Sequence, residues 1–543
     1  MTTPSSPFHP GEIEAQQRAG TEADAAAGGR FIRDSMPEQH REFFAALPFV
    51  VVASGDETGQ PWVTILEGQQ GFVASPDVGH LSIAARPGPG DPLKAALGPG
   101  SAIGMLGIEL STRRRNRLNG TVSGNGDGLE IAVRQSFGNC PQYINERGWS
   151  RVPTPAAPSP RISDRLDADQ IAQIGKADTF FIGSGHAADG REASDGFDAS
   201  HRGGRPGFVR VADERTILIP DYAGNRFFNT IGNIVADPRA GLLFVDFATG
   251  GMLHVAGRAE IDWQPVASHD PNAQRMITVR VETVVDRPGA LSLRWSTDSV
   301  ERMDLEIVDR IAESETITSF IIANADGTPL PPFEAGQYLP IALAIPGVSE
   351  TVKRTYSLSG SPRDDTWRIS VKRENDGLAS RFFHDHVEAG DRIAAWRPAG
   401  EFLLPEGEAG LVLVSAGVGA TAVLPMLHQS LSQAPLRPVW FVHGARDGAV
   451  HAFGAEVDAA IRRHSNARRK VFYSTPTDHD RTGTTYDVQG RVTAADLLEL
   501  KAGSDAHYMI CGPTRFIADL REGLETAGVP VDQIHSETFG PAG

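Results

Sequence analysis

Arg354, Tyr356 and Ser357 stand together in RTYS (354–357). Arginine supplies a planar, permanently charged fork that fits a phosphate, tyrosine a flat ring that can lie on another, and serine a hydroxyl beside it. In DGLASRFFHD (376–385), Gly377 precedes Leu378, Ala379 and Ser380. Glycine permits a tight turn there, and the first N–H groups of a helix would face a second phosphate. In SAGVGATAVLPML (415–427), Gly417, Gly419 and Thr421 sit where an apolar strand meets a helix. Backbone can approach a pyrophosphate at such glycines, and the helix N-terminus favours its charge. The third glycine of the full G-x-G-x-x-G pattern is missing, because position 422 is alanine. ICGPTRF (510–516) brings Cys511, Gly512 and Pro513 after another strand, and the chain closes on HSETFGPAG with Glu537 and Phe539. Each signal is weak alone: RTYS reads as an edge strand, a lone cysteine as buried filler, Glu537 as a surface charge. What they offer singly is phosphate and pyrophosphate binding; their order and spacing carry a resemblance given below. After VWFVHG come Arg446, suited to a 2′-phosphate, and Asp447, suited to a free 2′-hydroxyl, so NADH and NADPH are both open.

The elements that must hold these residues follow from the hydrophobic pattern. Residues 300–404 are β-rich and predict an antiparallel barrel; residues 405–543 alternate apolar strands with helical segments, the pattern of a parallel α/β sheet. Upstream, residues 1–45 are polar and alanine-rich, a helical lead-in. Residues 46–295 hold two β-rich sets, 46–150 and 165–295, joined by the proline-rich RVPTPAAPSPRISD (151–164). GMLGIELSTRRRNRLNG (104–120) aligns without a gap on GLLFVDFATGGMLHVAG (241–257), matching Leu106 with Leu243, Thr112 with Thr249 and Gly120 with Gly257. A duplicated antiparallel barrel explains this; two unrelated hairpins of similar patterning are the alternative.

Residues 300–543, with RTYS, the G-x-G-x-T turn, ISVKRE, VHAF, CGP and the E-x-F-G-P ending, resemble the ferredoxin–NADP reductase superfamily, and within it the reductase part of flavohaemoglobins. The resemblance implies FAD held by Arg354, Tyr356, Ser357 and the segment Gly377–Ser380, with Phe539 covering the flavin. It implies NAD(P)H at Gly417, Gly419, Thr421, Arg446, Cys511, Gly512 and Pro513, and a polar set of Ser357, Cys511 and Glu537 around the hydride path. It favours NADH.

In the N-terminal half, His201 and Arg202 precede the Gly203–Gly204 turn of SHRGGRPGFV, and DYAGNRFFNTIGNI adds Asn225, Arg226 and Asn229 at a helix start, both suited to phosphate. An ordinary surface turn and a simple helix cap are the competing readings. Residues 30–262, through FIRDSMPEQHREFF, TRRRNRLNG, SFGNCPQYI and HRGGRPGFV, resemble the pyridoxamine 5′-phosphate oxidase-like split barrels. That family implies FMN and a homodimer through the barrel; some relatives bind haem or deazaflavin F420 instead. Cys140 lies in a Gly/Pro-containing loop and reads equally as a pocket residue or a structural one.

The formal net charge of −17 speaks against nucleic-acid and membrane-surface partners, and no apolar run is long enough to cross a bilayer. The start of the chain lacks signal-peptide features, so a cytoplasmic location is expected. Two cysteines cannot ligate an ordinary iron–sulfur cluster, and no metal site is expected. Neither a globin nor a C-terminal [2Fe–2S] domain is recognisable. The expected function is an NAD(P)H-dependent flavin oxidoreductase: hydride to FAD, electrons to FMN in the barrel, then to a small-molecule acceptor or O₂. Two alternatives stand beside it, a reductase with a non-catalytic ligand-binding barrel and a haem-binding barrel with its own reductase.

Overall fold

In the computed structural model, residues 6–538 are described, apart from 125, 140–141, 154–158, 187–191, 267, 298–301, 349–350 and 435. Cys140 and Phe539, both singled out by the sequence, lie outside them. The chain divides into two units, Met1–Val300 and Glu301–Gly543.

The first unit opens with helices α1 (Pro10–Ala19), α2 (Glu22–Gly29) and α3 (Glu38–Ala46). A seven-stranded antiparallel sheet follows: β1 (Phe49–Gly55), β2 (Pro61–Glu67), β3 (Val73–Asp77), β4 (His80–Ile83), β5 (Ala102–Glu109), β6 (Arg114–Gly124) and β7 (Leu129–Gly138), in the order β2-β1-β5-β6-β7-β4-β3. After β8 (Gly148–Arg151), β9 (Arg161–Ser163) and α4 (Ala168–Lys176) comes a second sheet. It comprises β10 (Thr179–His186), β11 (Gly196–Gly203), β12 (Arg210–Asp213), β13 (Thr216–Asp221), β14 (Arg239–Asp246), β15 (Gly251–Asp262) and β16 (Arg275–Arg287), with α5 (Asn229–Ala236) before β14. Its order, β11-β10-β14-β15-β16-β13-β12, repeats the first strand for strand.

The gapless alignment of 104–120 on 241–257 holds at the level of pairing. Gly104 lies opposite Asn119, and Gly241 opposite Ala256. The register slips between Asn119 and Gly120 against β7, and at the aligned Ala256 and Gly257 against β16. Both bulge glycines are needed, because a Cβ on Gly120 or Gly257 would fall 2.4 or 2.0 Å from the carbonyl oxygen of Ala132 or Arg280. Each sheet covers its own core, and a third core lies between them, with Val51, Ile65 and Leu106 meeting Phe181, Ala199 and Leu243. The segment read as a plain proline-rich connector ends in strands instead. β8 pairs with β17 (Leu293–Ser296), and β9 pairs with β16.

The second unit begins with an antiparallel sheet of β18 (Met303–Ala312), β19 (Ile317–Asn324), β20 (Tyr338–Ala344), β21 (Thr351–Ser357), β22 (Trp367–Lys372) and β23 (Arg392–Ala395), ordered β21-β20-β23-β18-β19-β22. A bridge between Leu358 and Ile369 joins the outer strands and closes it into a barrel, and α6 (Leu378–His386) packs Phe383 into its core. A six-stranded parallel sheet follows, β24 (Leu411–Ala416), β25 (Val439–Ala445), β26 (Ala467–Tyr473), β27 (Val488–Gln489), β28 (His507–Gly512) and β29 (Ile534–Thr538), ordered β27-β26-β25-β24-β28-β29. Helices α7 (Ala420–Gln433), α8 (Gly454–Arg462), α9 (Ala494–Leu498) and α10 (Thr514–Thr526) connect its strands. β24 is fully apolar over LVLV because it is central and covered on both faces. The chain goes from β24 to β25 on one side and later returns to β28 on the other, so the crevice between the carboxyl ends of β24 and β28 is the topological switch point.

Two glycines at aligned positions hold the first unit's sheets against each other. A Cβ on Gly104 would lie 2.1 Å from the Phe197 carbonyl oxygen, and one on Gly241 would lie 2.5 Å from that of Pro61. Gly104→Ala and Gly241→Ala should each cost roughly 1–3 kcal/mol in urea unfolding, the usual range for overpacking. Gly98→Ala, with nothing within 4 Å, should stay within about 0.5 kcal/mol. Equal stability of all three variants would contradict the close packing.

Candidate active site of the second unit

The site builds from the switch point. Gly417 has φ +55, a conformation that favours glycine, and starts the turn 417–419 that leads into α7. Gly419 is required for a different reason: a Cβ there would lie 2.2 Å from the carbonyl oxygen of Cys511 at the end of β28. The two strand ends thus touch through backbone, and the turn 417–419 lies at the crevice, with the Ala420 N–H donating back to the Gly417 and Val418 carbonyls. Thr421 is buried, with its hydroxyl donating to the Val418 carbonyl at 2.9 Å, so it ties the turn to the helix. Gly512 leaves room for the Phe516 ring, 2.9 Å from a would-be Cβ, and Pro513 caps α10.

Across the sheet, Glu537, Cys511, Ser415 and His443 are successive register partners on β29, β28, β24 and β25. Cys511 is wholly buried, and burial, then the Glu537 charge, pushes its thiol well up, so it is a neutral thiol. Glu537 keeps some exposure as a residue, but its Oε2 is buried with no hydrogen-bond partner among the described residues. Burial raises this carboxyl to about 8. Ser415 and His443 complete the row with an Oγ to Nδ1 contact of 2.9 Å. The motifs did not single them out; the available signal was a polar residue near the end of an otherwise apolar strand, in LVLVS and VWFVH. Burial lowers His443 to about 3, so it is neutral.

On the barrel, Arg354, Tyr356 and Ser357 lie on the outer strand β21, paired with Ile341, Leu339 and Tyr338. Arg354 is half-buried and donates from Nη1 to the Lys353 carbonyl at 2.8 Å. The Tyr356 ring meets Phe383 of α6 edge-on at 5.4 Å, and burial raises its phenol to about 12. Gly377 is the N-cap of α6; the first intrahelical bond is Arg381 N–H to the Gly377 carbonyl, so the N–H groups of Leu378, Ala379 and Ser380 precede the ladder. The Ser380 hydroxyl folds back, donating to the Gly377 carbonyl and accepting from Glu374 N–H. Of the expected trio, Cys511 and Glu537 are register partners in the α/β sheet, and Ser357 is carried by the barrel of the same unit. Arg446, at the end of β25, is exposed and donates from Nε to the buried Asp447, whose other oxygen caps Ala449 N–H.

Residues 413–522 match the family described as the oxidoreductase NAD-binding domain. The C-terminal half therefore carries an NAD-binding domain of the oxidoreductase type. The flavohemoprotein of Deinococcus radiodurans is 39% identical over 237 residues, covering 44% of this chain and 59% of that protein. That of Bacillus subtilis is 41% identical over 236 residues, covering 43% and 58%. The chain thus spans less than two thirds of the length of these relatives. The flavohem-like FAD/NAD-binding domain of nitric oxide dioxygenase from Vibrio cholerae O1 biovar El Tor is 32% identical, with a TM-score of 0.40, covering 44% of this chain and 99% of that one.

In the first unit, the phosphate candidates are placed unevenly. His201 is buried on β11, with Nδ1 3.4 Å from Arg115 Nη1 and Nε2 buried without a partner among the described residues. Burial, then the charges of Arg115, Arg202 and Arg147, drives it well below its usual range, so the ring is neutral. Arg202 is paired with Asp221. Gly203 is packed, since a Cβ would fall 1.8 Å from the Tyr143 carbonyl oxygen, and Gly204 sits under the Phe208 ring. The helix expected from DYAGNRFFNTIGNI (221–234) opens at Asn229, with Phe228, at φ +64, in the capping position. Asn225 is not its cap: its Oδ1 accepts from Phe227 N–H, and its amide donates to Asn139. Arg226 is exposed and paired with Asp24. Asn229 accepts from Arg117 at 3.0 Å and donates to Glu12. The residues missed here are Arg115 and Arg117, which lie in TRRRNRLNG, a segment that carried the resemblance without being singled out residue by residue.

The NAD-binding domain makes one direct electrostatic prediction. A carboxyl raised from 4.5 to about 8 binds more proton in the folded than in the unfolded state between those values. Its burial therefore costs nothing below the lower value, and the cost grows as pH rises to the upper one. The stability of Glu537→Gln relative to the unchanged protein should thus increase from pH 5 to pH 9, measured as the difference in Tm. A difference independent of pH would place Glu537 in water.

Proposed function

We propose that the chain is an NAD(P)H-dependent flavoprotein oxidoreductase that passes hydride from a nicotinamide to FAD and electrons onward to FMN in the first unit, and from there to a small-molecule acceptor or O₂. The observation that carries the first step is the crevice where Gly419 closes on the Cys511 carbonyl beside the buried, unpartnered Glu537 Oε2. The donor set fits both groups. The turn 417–419 and the start of α7 suit a pyrophosphate, with Gly512 and Pro513 beside it; Arg354 and the open N–H groups of Leu378, Ala379 and Ser380 suit the FAD phosphates. Bound FAD supplies a two-electron acceptor ring, and Tyr356 and Ser357 are the groups on β21 that would orient it. Cys511 provides a small neutral wall for the nicotinamide. Glu537, protonated at neutral pH, offers a proton without bringing a charge into the crevice.

For FMN in a split barrel, support comes from the repeated sheet order and from the composite character of the His201 region. Asn139, Tyr143 and Arg115 of the first half meet Asn225, Gly203 and His201 of the second. With Nδ1 facing the Arg115 guanidinium, His201 carries its proton on Nε2, a buried donor surrounded by cationic side chains, which suits an anion. Arg202 would serve by its field rather than by contact while it holds Asp221. Asp447 at the end of β25 favours NADH over NADPH.

Acid release and chromatography of the purified chain should give about one FAD and one FMN. Arg354→Ala should lose FAD and keep FMN, as removal of a charge-assisted contact costs roughly 1.5–3 kcal/mol. Cys511→Ala should keep FAD but slow its reduction by NADH. FAD alone after reconstitution with both flavins would remove FMN from the account, and a Soret band would replace it with haem.

A further inference from the structure

One ion pair in the second unit belongs to neither phosphate site. Arg368 on β22 of the barrel donates to both oxygens of Glu456 on α8, Nη1 to Oε2 at 2.8 Å and Nη2 to Oε1 at 3.0 Å. The same Nη2 donates to the Ser359 carbonyl at 2.6 Å, and Ser359 N–H donates to the Arg368 carbonyl at 2.7 Å. Ser359 is two residues past Ser357. On the other side, Glu456 Oε1 lies 2.6 Å from Nε2 of His428 on α7, the helix that begins at the 417–419 turn. The guanidinium also sits 5.4 Å from the ring centroid of Phe453, the αL residue that caps α8. A continuous polar path therefore runs from the strand carrying Ser357 to the helix behind Gly417 and Gly419.

Such a pair is a poor source of stability. The Arg368 and Glu456 side chains are only 13% and 30% exposed, and desolvation offsets most of the attraction in this setting. What a two-point arginine–carboxylate contact supplies is direction, since a planar fork fixes both distance and angle where a lysine would not. Burial pushes the Glu456 carboxyl up, but the hydrogen bonds from His428 and Arg368 outweigh it and hold it at about 2, so the contact stays charged at working pH.

We propose that Arg368 and Glu456, anchored by His428, are positioning residues for hydride transfer, setting the separation between the flavin-side strand β21 and the nucleotide turn 417–419. The proposal rests on the hydride-transfer reading above. A misplacement of about 1 Å can cost up to about a hundredfold in rate, so the effect should appear in the reaction step rather than in binding.

The test is Arg368→Lys in the full-length, flavin-loaded protein, which keeps the charge and removes the fork. Stopped-flow reduction at saturating NADH should slow by about tenfold, and the long-wavelength charge-transfer absorbance between nicotinamide and flavin should weaken. FAD content and the NADH dissociation constant should stay within about twofold. A reduction rate within about twofold of the parent, or a loss explained wholly by lost FAD or NADH, overturns the proposal. If Arg368→Lys does not fold, His428→Leu, which leaves the ion pair and removes the only hydrogen-bonding group that His428 offers it, is read by the same criteria. Hydrogen exchange at β22 and α8 in the same variants reads the clamp itself: faster exchange in both is expected, and unchanged exchange overturns it. A parent protein that neither NADH nor NADPH reduces would instead defeat the hydride reading.

Discussion

A backbone carbonyl standing where a side chain would begin is the constraint on which both units depend. At Gly419 it is the Cys511 carbonyl, at Gly104 that of Phe197, and at Gly241 that of Pro61. In the second unit the contact brings the ends of β24 and β28 together, so that the turn after β24, the thiol of Cys511 and the carboxyl of Glu537 share one crevice. In the first unit the aligned pair Gly104 and Gly241 lets two like sheets approach until their inner faces form a common core. Any side chain at these positions would push apart the elements that make the sites.

Burial then sets the chemistry. The row of Glu537, Cys511, Ser415 and His443 has no charge at neutral pH: the acid is raised, the thiol is raised and the imidazole is lowered. The first unit follows the same rule. Arg117 joins Asn229 and Ser200, Asn233 joins Asp198 and His9, and Glu12 holds Asn229. Burial, then the Asp198 charge, raises Glu12 well above its usual range, and burial, then His186, lowers His9 to about 4. Helix α1 is tied through this network to β6 of the first sheet and to β11 and α5 of the second. Each group left unpartnered there would cost about 1–3 kcal/mol, which makes the lead-in helix part of the unit's core.

The sequence was legible where a requirement is local. A turn that must reach φ +55 needs glycine, so Gly417 announced itself, and the apolar runs of β24 and β28 declared a buried parallel sheet. The repeat was visible because bulge and register depend on residues only a hairpin apart. Requirements met by distant partners were not legible. Nothing near Arg202 shows that Asp221 claims it, and Arg368 and Glu456 are 88 residues apart. The alternative reading of Asn225 as a helix cap followed capping preferences, which favour asparagine, whereas Phe228 takes the capping position. The grouping of Ser357 with Cys511 and Glu537 came from resemblance, since no local pattern links a barrel strand to the α/β sheet.

In the proposed relay, electrons entering at the NAD-binding domain reach a second flavin in the first unit. The direct measurement is anaerobic reduction of the intact, flavin-loaded chain with NADH, followed by absorbance and compared with residues 1–300 alone. Both flavins of the intact chain are expected to bleach, the second after the first, while residues 1–300 bind FMN and are reduced by NADH only very slowly. FMN that stays oxidised while FAD is fully reduced, with no added acceptor changing this, would contradict it.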